Sequence, residues 1–306
     1  MSLGDFVSCT EETKVYIVYR GEHNGDKIWK EIEDHHCSFL QGTTSKEDVR
    51  TSLVQSCKNV INGFSALLTP QEADIISGME GVISVFHSDP DTTRSWDFVS
   101  LLEGTSLINY GEELSKNGNY GEDIIVGVID TGVWPESSSF NDKGMGPVPK
   151  SWNGTCQEGF AFNAPHCNSQ QGYEAHYGPL NETRDFRSPR DVDGHATHLA
   201  VVNASAIGGF AKGTATGGAP NVRLAINKVC WPVPTKTLAQ GNTCLPDDTL
   251  AAFDEDAIAN GVHVLSISLG SRPIKTYYRQ NSIAIGSLNV VKRNIVTVLT
   301  LLVHLL

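Results

Sequence analysis

The sequence predicts an α/β chain in two parts, a small α+β unit over residues 14–87 and a parallel-sheet α/β domain over residues 123–306. Two observations carry that reading. Strand and helix signals in the first part fall in the order β-α-β-β-α-β. In the second, continuous apolar runs alternate with helical segments, the pattern of strands buried on both faces of a parallel sheet. Residues 88–122, rich in Asp, Ser, Gly and Asn, read as a connector between the two.

Each element follows from its residues. Residues 14–19 (KVYIVY) are a tight run of β-branched and aromatic side chains and read as a strand. Residues 27–40 place Ile28, Trp29, Ile32, His36 and Phe39 at helical spacing. Residues 60–68 (VINGFSALL) read as strand, Asn-Gly turn and strand. Thr69 and Pro70 then suit the cap and first position of a helix, with Glu72 and Asp74 near its positive end. Residues 82–86 (VISVF) close the unit as a strand, and the order matches a ferredoxin-like domain. Buried strands are expected at residues 124–129, 222–229, 262–268 and 295–298, with helices at 249–260 and 282–292. Active groups of such a sheet belong at the carboxyl ends of its strands.

Composition narrows the function. The 306 residues carry a formal net charge of −12, which argues against nucleic acid and anionic membrane as partners. No apolar run reaches the roughly 20 residues needed to span a bilayer. Residues 1–12 have neither a basic start nor an apolar core, so no signal peptide is read there. The seven cysteines form no C-x-x-C pair. Cys156 with Cys167, and Cys230 with Cys244, are close enough in sequence to close short disulfides, and buried thiols are the equal alternative. Sequons at Asn153, Asn181 and Asn203 lean towards a secretory history.

Two segments carry chemistry. Asp130 ends the first buried strand and is followed by Thr131 and Gly132, a place from which a carboxylate can orient a histidine, a structural Asp at a strand end being the default alternative. D-T-G is also the aspartic-protease signature, but that chemistry needs two such carboxylates and the chain has one D-T-G and no D-S-G. Residues 193–200 (DGHATHLA) set His195 at the start of a short helix, suited to moving protons near neutral pH. His195 and His198 are three apart and lack the Glu of H-E-x-x-H, so no metal site is expected.

Taken together, these segments resemble the plant subtilisin-like serine proteases (subtilases). Residues 128–137 (VIDTGVWPES) are similar to that family's Asp segment, residues 193–198 to its His segment, and residues 223–231 (RLAINKVCW) to the strand that follows. Residues 14–87, with 62–66 (NGFSA), resemble its inhibitory propeptide, and 92–96 (TTRSW) its mature N-terminus, which implies processing just before Thr92. Ser268, Leu269 and Gly270 look like the end of the strand that binds substrate backbone.

The resemblance implies that Asp130 orients His195, that His195 is the general base, and that a serine attacks the peptide carbonyl. It implies no cofactor, peptide or protein substrates, a propeptide-to-peptidase contact, and secretion. The family's S-A-G-N and G-T-S-M segments, with the oxyanion Asn and the nucleophile, do not occur in these residues; Gly104-Thr105-Ser106 precedes Asp130 and lacks the downstream proline. The expectation is therefore a truncated serine endopeptidase, inactive by itself. The alternatives are a propeptide-like module that inhibits an active relative, or a non-functional fragment. Residues 295–306 are expected to form a β-prone apolar end and an aggregation hazard.

Overall fold

The computed structural model describes residues 12–23, 27–43, 49–89, 91–92, 116–154, 157–159, 162–166, 171–199, 203–205, 214–216, 219–237, 241–258, 261–270 and 277–299. The first part runs β1 (Lys14–Glu22), α1 (Trp29–Leu40), β2 (Leu53–Cys57), β3 (Ile61–Leu68), α2 (Pro70–Ser77) and β4 (Ser84–His87). Its sheet has the order β2-β3-β1-β4 with every neighbour antiparallel. The start of α2 is a capping box. Thr69 Oγ1 accepts from the Glu72 N–H, and Glu72 Oε2 accepts from the Thr69 N–H at 2.8 Å.

One element differs from the sequence reading. Asn62-Gly63, expected to turn the chain, lies inside β3, which runs unbroken through it. Gly63 pairs with Tyr19 of β1, and a Cβ there would stand 2.8 Å from the Val18 carbonyl oxygen. Glycine at this position permits close approach of two strands rather than a turn. The hairpin partner is β2 (LVQSC), whose polar middle hid its strand character.

β1 explains why residues 15–19 are apolar or aromatic without interruption. Val18 points into a core with Leu40, Phe64, Ala66, Leu68, Ala73 and Ile76, under α1 and α2. Its neighbours Ile17 and Tyr19 point the other way, into a second core shared with the rest of the chain. Side chains alternate across a strand, so a strand buried on both faces must be apolar at every position.

The second part adds β5 (Asp91–Thr92), β6 (Ile125–Asp130), β7 (Gln157–Gly159), β8 (Phe162–His166), α3 (Gln171–Tyr177), α4 (His195–Leu199), β9 (Asn203–Ser205), β10 (Thr214–Thr216), β11 (Arg223–Lys228), β12 (Cys230–Trp231), β13 (Thr243–Cys244), α5 (Pro246–Ile258), β14 (Val264–Ile267), α6 (Ser282–Val291) and β15 (Val296–Leu299). β11, β6, β14 and β15 form a parallel sheet in that order. α5 starts three residues before the expected position, with Pro246 opening it and Asp247 and Asp248 in its first turn. The shared core runs from Ile17, Tyr19 and Ile61 through Leu250, Phe253, Ile285 and Val290 to Ile129, Ala225 and Leu265. The two sheets are thus joined through α5 and α6. On β15, Val296, Val298 and Leu299 are exposed, and residues 300–306 lie outside the described residues.

The crossing of α5 and α6 depends on Gly286. A Cβ there would stand 2.2 Å from the Phe253 ring, which is fully buried. Gly286→Ala is expected to lower stability by about 1–3 kcal/mol, the cost of overpacking a filled core, and denaturant unfolding checks it. A gain, from the better helix propensity of alanine, would show that the ring yields freely.

Candidate active site

Asp130 is the last residue of β6, at the carboxyl end of the parallel sheet. The chain leaves the strand at Gly132 with φ of +116°, and a Cβ there would lie 2.1 Å from the Pro189 carbonyl oxygen. Only glycine combines that dihedral with that approach. The exit lets the Val133 N–H donate to Pro189 at 2.8 Å and brings residues 189–191 alongside. Those residues lead directly into α4.

α4 is held at its start by Asp191. Its Oδ1 accepts from the Gly194 N–H at 2.8 Å, and its Oδ2 accepts from the Thr197 N–H and hydroxyl at 2.9 and 2.6 Å. The Ala196 N–H donates to Thr131 Oγ1 at 2.9 Å, so the helix start and the strand end are stitched together. His195 is fixed between them, 5% exposed, with Nδ1 2.7 Å from Oδ1 of the fully buried Asp130. The same carboxylate oxygen accepts from the Thr131 N–H at 2.6 Å.

Burial by itself lowers the pKa of His195. The hydrogen bond and charge of Asp130, with Asp193 and Asp191 nearby, outweigh burial and hold it above the ordinary histidine value. A buried imidazole with Nδ1–H given to a carboxylate is oriented, fixed in one tautomer and stabilised when it takes a second proton.

A second buried pair supports this one and was not read from the sequence. Lys228 ends β11 in register with Asp130, and its Nζ donates to Asp185 Oδ1 at 2.7 Å and to the Arg190 carbonyl at 2.6 Å. Neither side chain of the ion pair is exposed. Burial pulls the Lys228 ammonium down, and Asp185 pulls it back. The lysine therefore anchors the 185–191 segment that delivers α4. A lysine near the end of the mostly apolar strand read over residues 222–229 was the available signal, since a charge in a buried strand needs a partner. Nearby, Arg190 makes a two-pronged bond to Glu136 at 2.8 and 2.6 Å and lies over the Trp134 ring.

The other predicted residues are dispersed. Ser268, Leu269 and Gly270 extend from the carboxyl end of β14, with Leu269 buried. Thr92, at the expected processing point, lies in β5, which pairs antiparallel with β13 rather than with 268–270. Cys230 and Cys244 form a disulfide that links β12 to β13. Cys156 and Cys167 lie outside the described residues. Asn153 and Asn181 are exposed, and Thr183 donates its N–H and hydroxyl to Asn181 Oδ1 at 3.0 and 2.8 Å. Asn203 is in β9, opposite Thr216. Among the described residues, no three His, Cys, Asp or Glu side chains converge as a metal site.

Residues 15–94 match the peptidase inhibitor I9 family model, and residues 121–297 match that of the subtilase family. The chain belongs to the subtilase family. This subtilase is 52% identical to subtilisin-like protease SBT5.6 of Arabidopsis thaliana, over 94% of its own length and 41% of the relative's. It is 48% identical to SBT5.5 of the same plant over the same shares, and 39% identical to subtilisin-like serine-protease S of Lotus japonicus over 92% and 38%. It therefore spans about two fifths of the length of these relatives.

In this subtilase the inhibitor-like part is clasped by α5. Asp254, 2% exposed, accepts from four consecutive backbone N–H groups in the β2–β3 turn: Lys58 at 2.5, Asn59 at 2.9, Val60 at 2.7 and Ile61 at 2.8 Å. Gln55 Nε2 donates to Asp248 Oδ1 at 2.6 Å, and the Ser88 hydroxyl donates to Asp247 Oδ1 at 2.7 Å. Asn289 of α6 donates to the Tyr19 hydroxyl. The sequence signal for Asp254 was a carboxylate beside Leu250 and Phe253, residues that face the core.

Proposed function

We propose that these residues supply the inhibitory domain and the Asp–His half of the catalytic machinery of a subtilisin-type serine endopeptidase acting on peptide or protein substrates. The observation that carries it is the 2.7 Å bond between Asp130 and His195, buried at the carboxyl end of a parallel strand. Asp130 holds the imidazole by Nδ1, and Nε2 takes the proton of a serine hydroxyl and returns it to the leaving amine. The 306 residues contain neither S-A-G-N nor G-T-S-M, so the polypeptide alone is expected to hydrolyse nothing.

The test joins these residues to the serine-bearing remainder of SBT5.6 and follows hydrolysis of a fluorogenic peptide. The fusion is expected to turn over, and His195→Ala to lower kcat on the order of 10⁶-fold. Full activity in the His195→Ala fusion, or turnover by the 306 residues alone, would overturn the reading. The base must be neutral, so the raised pKa of His195 places the acid limb of kcat/KM above roughly 6.5, the unperturbed value. The same shift contributes stability that is complete below that value and is lost as pH rises through the raised one.

Processing just before Thr92 is part of the proposal. It is supported by the extended Asp91–Thr92 segment, which lies antiparallel on β13 as a peptide added to a sheet edge does. Secretion and glycosylation at Asn153, Asn181 and Asn203 also belong to it. The Cys230–Cys244 disulfide supports an oxidising compartment, and no described helix is long and apolar enough to cross a membrane.

A further inference from the structure

A cavity of about 170 Å³ opens in the inhibitor-like part, far in chemistry from the acidic average of the chain. It is lined by Arg20, His23, Lys27, Ile32, His35 and Asn62. These come from four places: Arg20 from β1, His23 and Lys27 from the connection that follows it, Ile32 and His35 from α1, and Asn62 from β3. The polar lining has two permanent cations, two imidazoles and an amide, and no carboxylate. Among the described residues none of the four basic side chains has an ion-pair partner. Three described carboxylates nearby are engaged elsewhere, Glu33 with Arg50 and Lys58, Asp34 with Arg50, and Glu22 with Lys292.

The hydrogen bonds among the lining residues leave some of their donors unused. Arg20 Nη1 lies 3.2 Å from His35 Nδ1, which as the acceptor leaves Nε2–H as the other ring group of His35. Arg20 Nη1 also donates to Asn62 Oδ1 at 3.3 Å, an oxygen that His36 Nε2 shares at 3.2 Å. With Oδ1 so used, Asn62 has its amide hydrogens to offer. Arg20 Nε is buried without a hydrogen-bond partner among the described residues. His36 stands behind the wall, and burial lowers its pKa to about 4, so it adds no charge.

Basic groups gathered with no ion-pair partner among the described residues repel one another when charged, and a bound anion relieves that repulsion while satisfying donors. We propose that this cavity binds a small tetrahedral oxyanion, of which inorganic phosphate is the type. The volume is ample for one such ion with accompanying waters. The ion would tie β1, its following connection, α1 and β3 together. His23 also bonds through Nε2 to the Cys57 carbonyl at 3.0 Å, next to the turn that Asp254 clasps. Occupancy therefore steadies the same end of the domain that docks on α5.

The test is thermal unfolding and calorimetric titration of the full chain with sodium phosphate, against sodium chloride at matched ionic strength. Phosphate, and sulfate in its place, are expected to raise the unfolding midpoint in a saturable way that chloride does not reproduce. Lys27 is exposed and outside both cores, so Lys27→Gln leaves the fold intact and is expected to weaken phosphate binding about five- to tenfold. Arg20→Lys keeps a charge but loses the planar fork, and is expected to weaken it as well. Equal midpoints in phosphate and chloride overturn the proposal, and so does unchanged phosphate affinity in Lys27→Gln, whether or not the Arg20 variant folds.

Discussion

Asp254→Ala is expected to free the backbone amides of residues 58–61 and to cost about 2–5 kcal/mol of stability. The native carboxylate answers four N–H groups that belong to another part of the chain, those of Val60 and Ile61 buried and those of Lys58 and Asn59 partly so. Alanine removes both acceptor oxygens and leaves the Val60 and Ile61 donors unmatched in a buried place, a larger loss than that of the bonds themselves. Hydrogen exchange read residue by residue separates this from general destabilisation. Amides 58–61 should lose protection, while the β6 amides keep theirs relative to the global stability. Asp254→Asn presents an NH₂ where donors already converge, so it should recover only part of the loss. Native protection at residues 58–61 in the alanine variant would show that the shared apolar core alone holds the inhibitor-like part. If the clasp does hold it, the variant should also release that part more readily once the chain is cut before Thr92.

Lys228→Met is expected to cost about 3–5 kcal/mol, because it strands Asp185 without its counter-charge in a site closed to solvent. Replacing both partners, with Lys228→Met and Asp185→Leu together, should return much of that energy, since two apolar groups need no pairing. A positional consequence distinguishes the lysine from a merely structural one. It also binds the Arg190 carbonyl, four residues before Gly194, so the double variant should remain less ordered around His195 than its stability suggests. The His195 imidazole NMR signal reports that order. A stable double variant with a native His195 signal would confine Lys228 to a packing role, and a single-variant loss below about 1 kcal/mol would show that water reaches Asp185.

Both residues illustrate where reading the sequence stops. Asp130 and His195 were legible because their neighbours are constrained locally. Gly132 must provide a positive φ, Thr131 and Ala196 join strand end to helix start, and the motif letters record those needs. The α2 cap at Thr69 was legible for the same reason, since every partner lies within three residues. The Asn62-Gly63 reading failed because the same pair serves either a hairpin turn or a close approach of strands. Only the position of Val18 on the neighbouring strand decides between them.

What the sequence determined by itself was the run of elements, the two-part division of chemistry and the residues at the strand end and helix start, because these rest on periodicity and on contacts short in sequence. What only the tertiary structure decided was how the parts meet. Asp254 finds the amides of residues 58–61 some 195 positions away, Lys228 finds Asp185 43 positions away, and Arg20 meets His35 and Asn62 at the wall of a cavity. A carboxylate or an ammonium carries no mark of its partner in its own neighbourhood. Its meaning is set by what folding brings within about 3 Å and shuts away from water.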